Sequence, residues 1–218
     1  DVKNEEASYT EALQIDNDHL QALIYLGHVE LRGKRYEKAL ELYSRALEIW
    51  PASPSSLYNR ALILKILSRT PEERVAWLDY LYQYPSGPKA RRATDHLNIT
   101  GDYSFRNQNL GTSTITVEKI RFVPFTAELA ESSYESLYLV GEVFQDMKEG
   151  TLQIVVYQKN NKGLAKERAI AIKQFLISEF SSIKTKQIGV SWFAEPHKLT
   201  IRGKKLSIDE AVSFFVTR

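Results

Sequence analysis

Two hydrophobic rhythms run along the chain. Up to about residue 97 the apolar positions recur every three or four residues, which predicts helices near 3–15, 19–32, 36–49, 55–68, 71–83 and 87–97. Beyond residue 112, β-branched runs alternate with helical stripes. Thr112 to Phe125 alternates β-branched and polar residues and predicts one strand, while Ala130 to Met147 predicts a helix with Leu137, Val140 and Phe144 turned inward. The run Leu152 to Tyr157 predicts a strand that breaks at Gln158 to Gly163 and restarts as a helix. In that helix Leu164, Ala165, Ala169, Ile172, Phe175 and Leu176 form the apolar stripe, and Arg168 is expected in its first exposed turn beside the loop. Strands are expected at 187–193 and 211–217, with residues 198–206 reading as a hairpin. The order β-α-β-α-β-β predicts a mixed sheet with helices on one face, and the loop after the second strand is where such units usually bind ligands.

The helical half repeats itself. Tyr9, Ala12, Leu13 and Ile15 recur 34 residues later as Tyr43, Ala46, Leu47 and Ile49, and Pro51 recurs as Pro85. Leu23, Leu26, Gly27, Ala39, Tyr43, Ala46 and Pro51 resemble the tetratricopeptide (TPR) pattern, in which small residues let the two helices of a repeat cross closely. The next copy keeps Leu57, Ala61, Trp77 and Pro85 but has Glu73 and Tyr80 where alanines are expected. Ahead of the good copy only a second helix survives, so a longer array is expected. The resemblance implies a concave face lined by the first helices, holding a protein or peptide partner. By register His28, Arg32, Tyr58, Leu62 and Lys65 should face it, with Gln21, Ile24 and Leu31. Their apolar, aromatic and basic mixture suits a peptide with an acidic feature.

The second half carries Asn161-Lys162-Gly163-Leu164-Ala165-Lys166-Glu167-Arg168-Ala169, similar to the pattern N-x-x-L-S-x-x-R-A of OmpA-like domains except that Ala165 replaces serine. Phe122 to Leu129 and Ile188 to Pro196 are similar to that family's first strand and its glycine-rich third strand. The resemblance implies a peptidoglycan-binding site in which Arg168 grips the carboxylate of a diaminopimelate side chain, with Asn160 and Asn161 beside it. The family's G-H-T-D segment is missing, and Glu210 and Ala211 stand where two arginines usually precede the last strand. Peptidoglycan contact is therefore expected to be weak or lost.

The expected class is α followed by α/β. An α-solenoid of TPR helix pairs covers 1–97 (a partial repeat, one good repeat and a divergent repeat with a capping helix), an ordered connector covers 98–111, and an OmpA-like β-α-β-α-β-β sandwich covers 112–218. The 218 residues include 29 basic and 27 acidic residues, well mixed, so no field is strong enough to hold nucleic acid. With no cysteine, disulfides and thiolate metal sites are excluded. The four histidines are scattered, no metal-ligand spacing or catalytic motif occurs, and neither cofactor nor metal is expected. No apolar run would span a bilayer, so membrane attachment is expected only through an anchor preceding this sequence.

Together these features suggest a non-enzymatic bacterial envelope scaffold, periplasmic and associated with the outer membrane. The alternatives are a working peptidoglycan anchor through Arg168 and an envelope enzyme with its site at the Asn160 loop.

Overall fold

The computed structural model describes residues 2–147 and 149–217. Asp1, Lys148 and Arg218, which fall within the expected domain ranges, lie outside the described residues. The chain divides into two compact units, Asp1–Thr100 and Gly101–Arg218.

The first unit consists, among the described residues, of six helices: α1 (Val2–Ile15), α2 (Leu20–Arg32), α3 (Tyr36–Ile49), α4 (Pro54–Ile66), α5 (Thr70–Gln83) and α6 (Gly87–Ile99). Each packs on its sequence neighbours. Prolines in the first turns of α4, α5 and α6 set φ for the helix without sacrificing a needed N–H. The turns ending α2 and α4 are copies of each other. Lys34 (φ 59°) and Ser68 (φ 56°) adopt the left-handed conformation, and the next N–H groups, of Arg35 and Arg69, donate back to Glu30 O and Leu64 O at 2.9 Å. That closure satisfies terminal carbonyls, but it places non-glycine residues where glycine is easiest.

Gly27 lets α2 and α3 cross, because a Cβ there would sit 2.9 Å from Tyr43 Cε1. Ala39, Ala46 and Ala61 are fully buried in the same way. The divergent copy uses a different device. Glu73 is buried and accepts a hydrogen bond from Trp77 Nε1 at 3.1 Å, and Tyr58 and Tyr80 meet edge to face. Aromatic bulk thus replaces the small alanines at that crossing.

The second unit has a five-stranded sheet, built from β1 (Phe105–Leu110), β2 (Ser113–Glu118), β3 (Thr151–Gln158), β4 (Ile188–Phe193) and β7 (Glu210–Thr217) in the order β2-β1-β7-β3-β4. Strands β5 (His197–Ile201) and β6 (Lys204–Ile208) form a separate hairpin, whose turn residues Arg202 and Gly203 both have positive φ. Helices α7 (Tyr134–Gln145) and α8 (Lys162–Glu179) share one core with the sheet. Leu152, Ile154 and Val156 of β3 and Phe214 of β7 meet Leu137, Val140 and Phe144 of α7 and Ala169, Ile172 and Leu176 of α8. These strand residues alternate, so both helices lie on one face of the sheet.

Two expectations are corrected here. Residues 105–110, expected within the connector, form β1, and the strand expected over Thr112 to Phe125 ends at Glu118, leaving only a bridge between Phe122 and Leu129. Strand β1 escaped detection because Arg106, Asn107, Gln108 and Asn109 are polar. Their polarity is satisfied across the sheet: Thr116 Oγ1 donates to Asn107 at 2.7 Å, Thr114 Oγ1 to Asn109 at 3.0 Å, and the Phe214 N–H to Gln108 Oε1 at 3.0 Å. Gly111, with φ 61°, makes the tight turn between the two strands.

Candidate functional site

In the helical unit the first helices of successive pairs are α2, α4 and α6. The repeat step aligns His28 with Leu62 and His96, and Gln21 with Ser55 and Lys89. Lys65 and Arg32 are exposed, and His28 and Leu62 are half-buried. Tyr58, expected on the open face, is only 9% exposed. Lys89 explains the difference, since its ammonium lies over the Tyr58 ring, 5.2 Å from the centroid, while Trp77 and Tyr80 pack against that ring edge to face. Ile24 is likewise buried rather than open.

A line of side chains joins these helices. Lys65 Nζ lies 3.5 Å from His96 Nε2, and the His96 ring stacks on Trp77 at 5.3 Å. On α2, His28 sits 5.7 Å from the Tyr43 ring, and Asn59 Nδ2 donates to the Tyr43 hydroxyl at 2.9 Å. Burial, then the charges of Arg32 and Lys89, hold the His28 imidazole below its ordinary pKa. Lys89 therefore influences both the α2 and the α4 residues. Sequence reasoning missed it by ending the face at α4, although the 34-residue step from Gln21 through Ser55 reaches it.

The cations differ in what balances them. Arg32 pairs with Glu5 at 3.5 Å, both groups being more than half exposed. Lys65 and Lys89 have no carboxylate partner among the described residues. Four other carboxylates of this unit are engaged elsewhere: Glu30 with Arg35, Asp79 with Arg60, Glu72 with Arg69 and Glu73 with Trp77. A cleft of about 590 Å³ on another part of the unit is walled by Leu40, Leu64, Pro71 and Val75. Of its three charged lining residues, Arg69 and Glu72 pair with each other at 3.8 Å and Arg60 pairs with Asp79.

In the sheet unit Arg168 is buried at 3% exposure, contrary to the expected exposed turn. It lies three residues after Ala165 and four before Ile172, both fully buried, so it belongs to the core-facing stripe of α8. Its Nε donates to Thr126 O at 2.9 Å and its Nη1 to Gln158 Oε1 at 2.6 Å. The same Nη1 lies 3.1 Å from Glu210 Oε2, and the guanidinium stands 4.5 Å from the centroid of the Phe122 ring. The cation is thus enclosed by acceptors that the chain supplies itself.

Asn160 and Asn161 shape the backbone. Asn160 is left-handed (φ 62°) with its N–H donating to Ala194 O at 2.8 Å, and Asn161 Oδ1 caps α8 by accepting from the Leu164 N–H at 3.0 Å. Neither hydrogen-bonds Arg168, so the structure does not join these three into one ligand cradle. Behind Glu210 a cavity of about 20 Å³, lined by Arg106, Gln108, Lys119 and Glu210, has room for about one water. Burial lowers the pKa of Arg106, and burial followed by the Arg106 charge brings His197 down to about 4. The His197 ring stacks on Tyr157 at 4.3 Å.

Among the described residues no group of three or more His, Cys, Asp or Glu is placed to hold a metal, and no helix is long and apolar enough to cross a membrane. No curated protein matches the chain. A crystal structure of a tetratricopeptide repeat protein from Parabacteroides merdae ATCC 43184 is similar at 18% sequence identity and a TM-score of 0.42, over 82% of this chain and 53% of that one. The chain thus spans about half the length of that protein. Residues 27–65 match the family model for the TPR repeat. The helical unit therefore carries a tetratricopeptide repeat, a module that generally binds protein partners, and it is followed by a sheet-containing α/β unit.

Proposed function

We propose that the chain is a non-enzymatic scaffold whose helical unit holds a segment of a protein partner on the α2, α4 and α6 face. The observation that carries this reading is the exposed Lys65, beside His96, and the exposed Lys89, over the Tyr58 ring, charged groups with no ion-pair partner among the described residues. Crosslinking mass spectrometry on partners captured from bacterial envelope extract tests it. Crosslinks from Lys65 and Lys89 to a captured protein are expected, and crosslinks confined to residues of α3 and α5 would place binding on the second helices instead.

The sheet unit, in this proposal, is a divergent OmpA-like domain of a periplasmic, outer-membrane-associated protein that has lost most of its peptidoglycan affinity. What supports the family assignment is the Asn161 to Ala169 segment, with Asn161 capping α8 and Arg168 turned into the unit. What supports the loss is Glu210, which supplies the carboxylate that a diaminopimelate ligand would bring to Arg168. A ligand would have to displace an intramolecular partner that carries no association cost. Calorimetric titration with soluble muropeptide should give no heat of binding. Micromolar binding that vanishes in Arg168→Ala would instead establish a working peptidoglycan anchor.

A further inference from the structure

We infer that the sheet unit seats one end on an anionic bilayer surface, with Phe125 inserted among the lipids and the β5–β6 hairpin laid against the headgroups. The inference goes beyond the scaffold reading and does not depend on what the helical unit holds. Phe125 is 94% exposed, the most open large apolar side chain among the described residues. Its backbone is one that a bulky side chain disfavours. The Thr126 N–H donates to Val123 O at 3.0 Å, Pro124 and Phe125 occupy the middle of that turn, and Phe125 has φ 64°. Proline followed by a positive φ is the pattern of a type II turn, whose third position favours glycine. The turn is also braced: the Val123 N–H donates to Glu128 O at 2.8 Å, and Arg168 Nε donates to Thr126 O at 2.9 Å. An aromatic ring displayed in water on a strained, braced turn adds nothing to the isolated fold, which marks it for a contact outside the chain.

The surroundings select a bilayer as that contact. Arg168 ties the turn to Gln158, where β3 finishes, and the hairpin joins the finish of β4 to the start of β7, so both belong to one end of the sheet. Residues 119–129, 159–162 and 194–210, which form this end, include eight basic and four acidic residues. Two of those acids are already paired, Asp209 with Lys159 and Glu210 with Arg168, each at 3.1 Å. Between Pro196 and Asp209 there is no acidic residue, while Lys198, Arg202, Lys204 and Lys205 are basic. Lys198 pairs across the hairpin with Ser207, and Thr200 with Lys205, so both lysines share one face whose four residues are all exposed. Leu199 and Leu206 share the other face and are half-buried. Each basic residue close to an anionic membrane strengthens partitioning by about fivefold. Area argues against a protein as the occupant. A phenylalanine side chain buries about 150–250 Å², far short of the roughly 1,000 Å² of a specific protein interface, whereas a bilayer interface accepts a single aromatic wedge backed by cations.

The test uses the full chain and vesicles of phosphatidylcholine, alone or mixed equally with phosphatidylglycerol, read by co-sedimentation at physiological ionic strength. Binding to the mixed vesicles is expected, at least about tenfold tighter than to phosphatidylcholine. Phe125→Gly should weaken it by at least about tenfold without lowering the melting temperature, because glycine relieves the turn. Lys198→Glu/Lys205→Glu should also weaken it by at least about tenfold. The same charge change on the exposed Lys184→Glu/Lys186→Glu pair, which precedes β4 and so lies at the other end of the sheet, should matter by less than about twofold. The chain has no cysteine, so Phe125→Cys carries a single polarity-sensitive dye, whose emission should shift to the blue on the mixed vesicles. Failure to sediment with mixed vesicles, equal binding to the two lipid compositions, undiminished binding of Phe125→Gly or equal weakening by the two lysine pairs would each overturn the inference. A dye that stays in water while the protein sediments would overturn it as well, and would leave a protein as the occupant of the turn.

Discussion

The two units hold their notable cations in opposite ways. Arg168 is buried, hydrogen-bonded to Gln158 and Thr126, paired with Glu210 and set over Phe122, whereas Lys65 and Lys89 are exposed and without carboxylate partners among the described residues. A basic residue matching a binding motif is therefore not enough to locate a site. What distinguishes a binding cation from a structural one is whether the fold already supplies its counter-charge and acceptors.

The sharpest way to break that comparison is Glu210→Ala, which leaves the buried Arg168 guanidinium without its charge partner. A loss of about 1–3 kcal/mol is expected, because the Arg168 guanidinium is buried while the Glu210 side chain is 37% exposed. Hydrogen exchange at β3 and β7 amides reads it, and a loss below about 1 kcal/mol would show that the pair is exposed in solution. Arg168→Met removes the buried charge along with its partner's role and should cost less than Glu210→Ala.

Packing offers a second contrast. Each unit has a helix glycine at a close approach, but a Cβ on Gly141 would lie 2.1 Å from Phe180 Cε2, and one on Gly27 would lie 2.9 Å from Tyr43 Cε1. Gly141→Ala should destabilise by about 1–3 kcal/mol and Gly27→Ala by less, as read from urea midpoints with unchanged slopes.

Protonation separates the units further. His28 and His197 both have folded pKa values below the ordinary 6.5, so below that pH the unfolded chain takes up protons that the folded chain refuses. Stability should fall as pH drops through about 6.5, and the His197 contribution should continue to be lost until about 4. His197→Phe, which keeps a ring against Tyr157, should flatten the lower part of that slope. An unchanged slope would show that His197 is hydrated.

The smallest effects concern the helical surface. Ser68→Gly relieves a left-handed backbone and should stabilise by about 0.5–1 kcal/mol in thermal melts. Lys65→Ala and Lys89→Ala should each change stability by less than about 0.5 kcal/mol, because neither holds the fold together.

The helices, the hairpin over 198–206 and the placement of helices on one sheet face were legible because their apolar periods are clean. Strand β1 was not, since its polar residues find partners on β2 and β7 that are distant in sequence. The burial of Arg168 was legible only in part. Its spacing from Ala165 and Ile172 marks the core stripe, but a charge argues for solvent until Glu210, 42 residues later in the chain, is seen beside it. Lys89 was hidden by treating α6 as a cap, although the repeat step continues into it.

The most direct measurement is one amide-detected NMR titration of the whole chain with an alternating Leu–Glu peptide, whose carboxylates could reach either kind of cation. The account predicts shift changes centred on His28, Tyr58, Lys65 and Lys89, with Gln158, Arg168 and Glu210 unmoved. Changes centred on Arg168 and Glu210 would contradict it and make the sheet unit the chain's carboxylate receptor.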